Sequence, residues 1–254
     1  MTSTTALQQR TLFVSWRDPE SGSIYPIGKL IRTLDHDGER YAFAYLKLAE
    51  RLGGFEPLPG LPDLHRRYEA SSLFPVFANR VMPRSRPEFD LLARSVDLRG
   101  DADPFEVLAR SGGRRATDRI EVFLPPERTP SGDTCVLFFA RGVRHVEGAF
   151  DVVDRLHRGD RLVLVDDPAN PFNARAVILR VCDGQQVGWI PDYLVEHVHE
   201  LRQLNGCDPT VVVEHVNDRS VAGHMRLLCR LTAPWPEGYV PFSDAAFHTL
   251  APLD

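Results

Sequence analysis

The residues best suited to chemistry lie between Gly159 and Pro191. An apolar run, Leu162-Val163-Leu164-Val165, enters Asp167-Pro168-Ala169-Asn170-Pro171-Phe172-Asn173 before apolar positions return at Ala176, Ile178 and Val181. Two prolines restrict this turn, and its asparagines can bond to their own backbone. A loop that holds an aromatic between polar neighbours does little for a core. It suits the display of a ring and an amide to something outside the protein. Each residue also has a structural alternative. Phe172 can tuck under the loop as a lid, Asn173 can close an Asx turn, and Asn170 can cap the loop.

Other reactive side chains are not arranged for catalysis. Ser71, Ser72 and Ser111 have no histidine and acid at motif spacing, and no Walker or Rossmann glycine loop is present. The four cysteines, Cys135, Cys182, Cys207 and Cys229, form no Cys-x-x-Cys pair. Three of them sit in apolar strand patterns, as buried thiols of a reducing compartment do. His197 and His199 are two apart on an expected helix, so they point to different faces and match no zinc-ligand spacing. No catalytic residue, cofactor or metal is expected.

Composition narrows the function class. The chain has 254 residues, enough for one large or two ordinary domains. Its net charge of -5 argues against a protein that coats phosphate backbones. Only Lys29 and Lys47 are lysines, so arginine supplies nearly all the positive charge, through genomic base composition or through bidentate and stacked recognition. Two basic clusters, Arg80-Arg84-Arg86 and Arg114-Arg115-Arg119, could extend a phosphate track or simply be solvated. No apolar stretch approaches the roughly 20 residues of a membrane span. Met1 to Gln9 lacks a signal-peptide pattern, so a cytoplasmic location is expected.

The elements that must position these residues fall into two parts, divided by Pro125-Pro126-Glu127-Arg128-Thr129-Pro130-Ser131-Gly132. An α+β fold is expected. The first module spans 1–125, with strands at Leu12–Trp16, Ile24–Arg32, Tyr41–Tyr45 and Ile120–Phe123. Its helices are expected over Leu46–Leu52, Leu73–Arg80, Pro87–Ser95 and Pro104–Ser111. The second, 133–232, reads as a mostly β, partly or fully closed small barrel. Its strands are expected at Cys135–His145, Arg161–Val165, Ala176–Val181, Gln186–Trp189, Thr210–Val216 and His224–Leu231, with one helix over Asp192–Leu204. Gly188 suits a close backbone approach and Trp189 the barrel seam. Residues 233–254, rich in proline and aromatics, read as a strap that packs back on the body.

The ordered set Arg141-Gly142-Val143-Arg144-His145, Gly159-Asp160-Arg161-Leu162, Asp167 to Asn173, Ala176-Val177 and Val187-Gly188-Trp189-Ile190-Pro191 resembles a HIRAN domain over about 135–231. More loosely, the first half resembles the N-terminal subdomain of HipA-type toxin kinases. It does so at Ile27-Gly28-Lys29-Leu30, Phe43–Tyr45, Leu73-Phe74-Pro75 to Pro83, Asp103 to Leu108 and Gly112 to Pro125. No kinase core follows.

The HIRAN resemblance implies an OB-like barrel that binds the free 3′ end of single-stranded DNA. Such a site needs an aromatic for the terminal base, an acceptor for the ribose hydroxyl and a guanidinium for the phosphate. The matching positions are Phe172, Asn173 and Arg144, with His145 beside Arg144 and Arg141 at the rim. Arg144 can alternatively pair with Asp166 or Asp167. The pattern departs where helicase-type members have Tyr-Asp instead of Phe172-Asn173, and aromatics instead of His145-Val146. A neutral amide is a weaker acceptor than a carboxylate. The resemblance thus implies a non-catalytic protein whose partner is a nucleic-acid end or damaged DNA. The alternatives are an adaptor that meets a protein partner through its HipA-like half, or a hydrolase acting on acid anhydrides with zinc binding. The last is a family-level association for which this chain carries no motor motif.

Overall fold

The computed structural model describes residues 8–36, 38–99 and 101–253. Most of the segment behind the cytoplasmic expectation, and Asp37 in the second hairpin turn, lie outside these residues. No helix among the described residues is long and apolar enough to cross a membrane.

The chain folds as two compact units that do not follow a single linker. One comprises 1–83, 104–125 and 242–254; the other comprises 84–103 and 126–241. The spans 1–125 and 233–254 are each divided between the two units, while 133–232 lies within the second.

In the first unit, β1 (Gln8–Arg17), β2 (Ile24–Asp35), β3 (Gly38–Tyr45) and β4 (Tyr68–Ala70) form an antiparallel meander, and β5 (Ile120–Phe123) returns beside β1. β1 is buried from Leu12 to Trp16 without alternation, so both of its faces are covered. Leu12, Val14 and Trp16 belong to a core that also takes Phe77 from α1 (Pro75–Ala78) and Phe105 and Leu108 from the later helix of this unit, Pro104–Ser111. Phe13, on the opposite face, meets Phe242 and Phe247 edge-on at 5.4 and 5.2 Å. Ala251 and Leu253 are buried with Ile31 and Ala44. A Leu46–Thr249 bridge fixes this strap to the end of β3. The expected helix Leu46–Leu52 is a single 3₁₀ turn, Ala49–Arg51. The expected Leu73–Arg80 helix shrinks to its middle four residues, with Pro75 at its start.

In the second unit, α2 (Phe89–Ser95) is tied to the barrel by buried Asn217, whose Nδ2 donates to the carbonyls of Ser95 (2.8 Å) and Met225 (2.6 Å). The helix of the first unit, Pro104–Ser111, is α3. The barrel strands are β6 (Glu127–Arg128), β7 (Asp133–Phe139), β8 (Arg161–Asp166), β9 (Val177–Arg180), β10 (Gln186–Trp189), β11 (Thr210–Val216) and β12 (Leu227–Pro234). Their order is β10-β9-β8-β11-β12-β7-β6. Beyond β7, Arg141 and Trp189 exchange two backbone hydrogen bonds of 2.9 Å, which brings β10 back to β7 and closes a six-strand barrel. Bulges in β10 and β11 supply local bending. The fold is thus α+β with an OB-like barrel, as expected.

The strand expected over Cys135–His145 is corrected. It stops at Phe139, because Gly142 takes the left-handed φ of 67° and Val143–His145 turn into a 3₁₀ helix. Likewise His224 sits in a 3₁₀ turn before β12, not in the strand. α4 (Ala149–Val153) and α5 (Asp192–Asn205) complete the unit.

α5 carries one polar residue into the core. His197 is 1% exposed, and its Nδ1 lies 2.6 Å from the Tyr239 hydroxyl, which itself donates to Glu200 at 2.7 Å. Tyr239 therefore accepts from Nδ1–H, and the buried Nε2 has no hydrogen-bond partner among the described residues. Burial lowers the His197 pKa to about 4. The unfolded chain binds this proton near the ordinary value of 6.5, so stability is full above that pH and falls as pH drops toward 4. The loss should reach about 3 kcal/mol. Urea denaturation at stepped pH should show the advantage of wild type over His197→Gln shrinking across this window; a constant gap would refute the assignment.

Candidate nucleic-acid interface

The loop after β8 is held by its own polar groups. Asp167 accepts from the Trp189 indole N–H (2.8 Å) and from Asn170 Nδ2 (3.2 Å). Asn170 Oδ1 accepts the backbone N–H groups of Phe172 and Asn173 at 3.1 and 3.3 Å. Asn173 Oδ1 accepts from the Arg175 N–H (2.9 Å), while its Nδ2 donates to Asp192 (3.2 Å) at the start of α5. Asn170 and Asn173 thus both close turns. One lone-pair direction of Asn173 Oδ1 is left for another donor. Amid these inward-turned groups the Phe172 side chain projects, and the residue is 53% exposed.

Trp189 joins this loop to the basic segment. A Cβ at Gly142 would lie 2.6 Å from the indole ring, so the ring rests on the Gly142 backbone while its N–H reaches Asp167. Arg141 bridges Trp189 through its backbone, and the next turn carries Arg144 and His145, both exposed. Arg144 Nε donates to His145 Nε2 at 3.1 Å, so that imidazole nitrogen is the unprotonated one. Asp166 pairs with Arg202, and Asp167 is held by Trp189 and Asn170, so neither neutralises Arg144. The five residues singled out from the sequence thus lie on two segments that share one indole. The Asp167–Trp189 and Asn173–Asp192 contacts join residues far apart in the chain, and no local spacing signals them.

Part of the remaining charge near this end is internally paired. Arg226 is 1% exposed, bonds to Asp154 just after α4 and lies 5.7 Å over the Phe150 ring. Hydrogen bonds, first from Arg219 and then from Arg226, hold the Asp154 carboxyl below its ordinary pKa. Three of the six arginines in the two basic clusters of the first half are held by the protein itself. Arg80 is spent on the carbonyls of Val76, Gly113 and Ile120 and on Asp118, Arg84 on those of Asp101 and Ala102, and Arg114 pairs with Glu121. His197 and His199 point apart, His199 toward the Arg175 carbonyl. No cluster of three or more His, Cys, Asp or Glu side chains suited to a metal occurs among the described residues.

A small closed barrel with an aromatic-bearing loop and an arginine turn at one end belongs to the class of OB-like binding modules. Residues 134–235 match the HIRAN domain family, so the second half of this chain carries a HIRAN domain. HIRAN domains are known for nucleic-acid binding. Among solved structures, the chain is similar to the HIRAN domain of human HLTF, at 18% identity and a TM-score of 0.31 over 41% of this chain and 83% of that one. It is also similar to a protein from Lactobacillus plantarum, at 18% identity and a TM-score of 0.33 over 40% of this chain and 96% of that one. No curated protein matches the chain. The HipA-like resemblance of the first half is not among these findings.

Proposed function

We propose that the barrel binds the free 3′ end of single-stranded DNA, with Phe172 stacking on the terminal base. Arg144 meets the phosphate, His145 orients its guanidinium, Asn173 accepts the terminal hydroxyl, and Arg141 lies at the rim. The observation that carries this reading is the exposed Phe172 ring, set in a loop that hydrogen bonds of Asp167, Asn170 and Asn173 hold in place. Such a ring loses little entropy on stacking because its loop is ordered beforehand.

Gel shifts with single strands carrying a 3′-hydroxyl or a 3′-phosphate test the reading. The hydroxyl end should bind more tightly, because a phosphate there occupies the place of the donor to Asn173 and adds charge. Equal binding of the two strands, or none, sinks end recognition. Phe172→Ala should weaken binding by about 1–3 kcal/mol, the usual value of one stacked base. Raising the salt should weaken wild type more steeply than Arg144→Gln, which has one phosphate contact fewer.

A further inference from the structure

A cleft lies at the end of β7 away from Arg141. β12 ends with Pro234 paired to Asp133, the first residue of β7, and Trp235 N–H donates to the Gly132 carbonyl (3.0 Å). Arg141 lies eight residues along from Asp133, so the Trp189 end of the barrel is about 25 Å away at the usual strand rise. The cleft holds about 600 Å³ and is lined by Arg128, Trp235, Pro236, Glu237, Tyr239 and Val240, among others.

Its two aromatics are fixed, with their polar atoms already spent. The Trp235 indole N–H donates to the Tyr239 carbonyl (3.1 Å), and the Tyr239 hydroxyl is held between Glu200 and His197. The rings meet edge to face, 5.5 Å apart at 60°. Two lining charges, Arg128 and Glu237, make no side-chain hydrogen bond or ion pair among the described residues, unlike most of the arginines described above. The mainly polar wall therefore offers an uncommitted guanidinium, an uncommitted carboxylate and a partly exposed indole.

We infer that this cleft is a nucleotide site, selective for a base bearing an exocyclic amine. The base stacks on Trp235, Arg128 takes the phosphate, and Glu237 accepts the amine N–H. A carboxylate accepts from the amine of cytosine, whereas thymine offers it only N3–H, flanked by two carbonyl oxygens that repel it. A cation is a poorer occupant, because Arg128 opposes it. The inference stands on different residues from end recognition and does not require it.

Titrating the full chain with dCMP and dTMP, read by tryptophan emission, tests it. dCMP should quench the emission, and dTMP should bind about 5- to 150-fold more weakly, the usual discrimination of a base contact. Trp235→Phe should remove the quench, Arg128→Gln should weaken dCMP and leave cytidine unchanged, and Glu237→Gln should narrow the preference. dCMP has a free 3′-hydroxyl, so Phe172→Ala should remove any binding at the end site while the quench that depends on Trp235 persists. No response to dCMP, or equal affinity for dTMP, overturns the inference. A response kept in Trp235→Phe and lost in Phe172→Ala also overturns it, and leaves end recognition standing. In the Phe172→Ala chain, an oligo-dC strand that binds more tightly than dCMP makes the occupant part of a strand; equal affinity makes it a mononucleotide.

Discussion

Gly188→Val should open the barrel of the second unit. Gly188 has a φ of +144°, and a Cβ there would stand 2.5 Å from the Arg141 carbonyl oxygen. That oxygen cannot step aside, because it accepts the Trp189 N–H across the seam. Steric overlap with fixed backbone costs about 1–3 kcal/mol, and a branched residue at positive φ adds roughly 1–2 kcal/mol. The seam and the 3₁₀ turn bearing Arg144 should therefore separate from Trp189. Gly184→Ala separates the two contributions, since Gly184 has a φ of +91° and nothing within 4 Å of its missing Cβ. Urea midpoints should fall slightly for Gly184→Ala and steeply for Gly188→Val, which should also lose single-strand binding. Equal midpoints for the two variants would mean that the seam contributes nothing.

The same seam separates what local sequence reveals from what it hides. β8 and α5 are legible because their burial follows from residues two, three or four apart, β9 because it is a short continuous apolar run, and β10 because Gly188 and Trp189 carry the marks of a tight seam. The 3₁₀ turn at Val143–His145 is not, because Val143 to His145 continue an acceptable strand pattern. The deciding contact is the Trp189 ring on Gly142, set by a residue far along the chain. The site shows the same split. Phe172 and its asparagines announce a display loop by type and spacing. The Asp167–Trp189 bond that binds this loop to the arginine turn depends on barrel closure. Arg80 looked like a candidate phosphate contact, yet it is a buried staple for three carbonyls, which only tertiary packing could decide.

Cutting the chain after Pro241 should unfold the first unit. The unbroken burial of Leu12-Phe13-Val14-Ser15-Trp16 calls for cover on both faces of β1, and α1 and α3 reach only one. The other face is closed by the strap. Phe242 and Phe247 stack at 4.6 Å and meet Phe13 edge-on, and Ala251 and Leu253 are 7% and 8% exposed beside Ile31 and Ala44. Lys47 N–H also donates to the His248 carbonyl, and Leu250 N–H to that of Tyr45, each at 2.8 Å. Truncating a single buried leucine costs about 2–5 kcal/mol, and a whole domain is stable by only about 5–15 kcal/mol. Losing two half-buried phenylalanines, a leucine and the bridge together should exhaust that margin. Leu253→Ala is the graded version and should lower stability by roughly 2–4 kcal/mol without abolishing the fold. A fragment ending at Pro125 lacks the strap as well, so it should show no cooperative thermal transition. Cooperative melting of that fragment would mean that the sheet and its helices suffice, and that the strap is only an accessory.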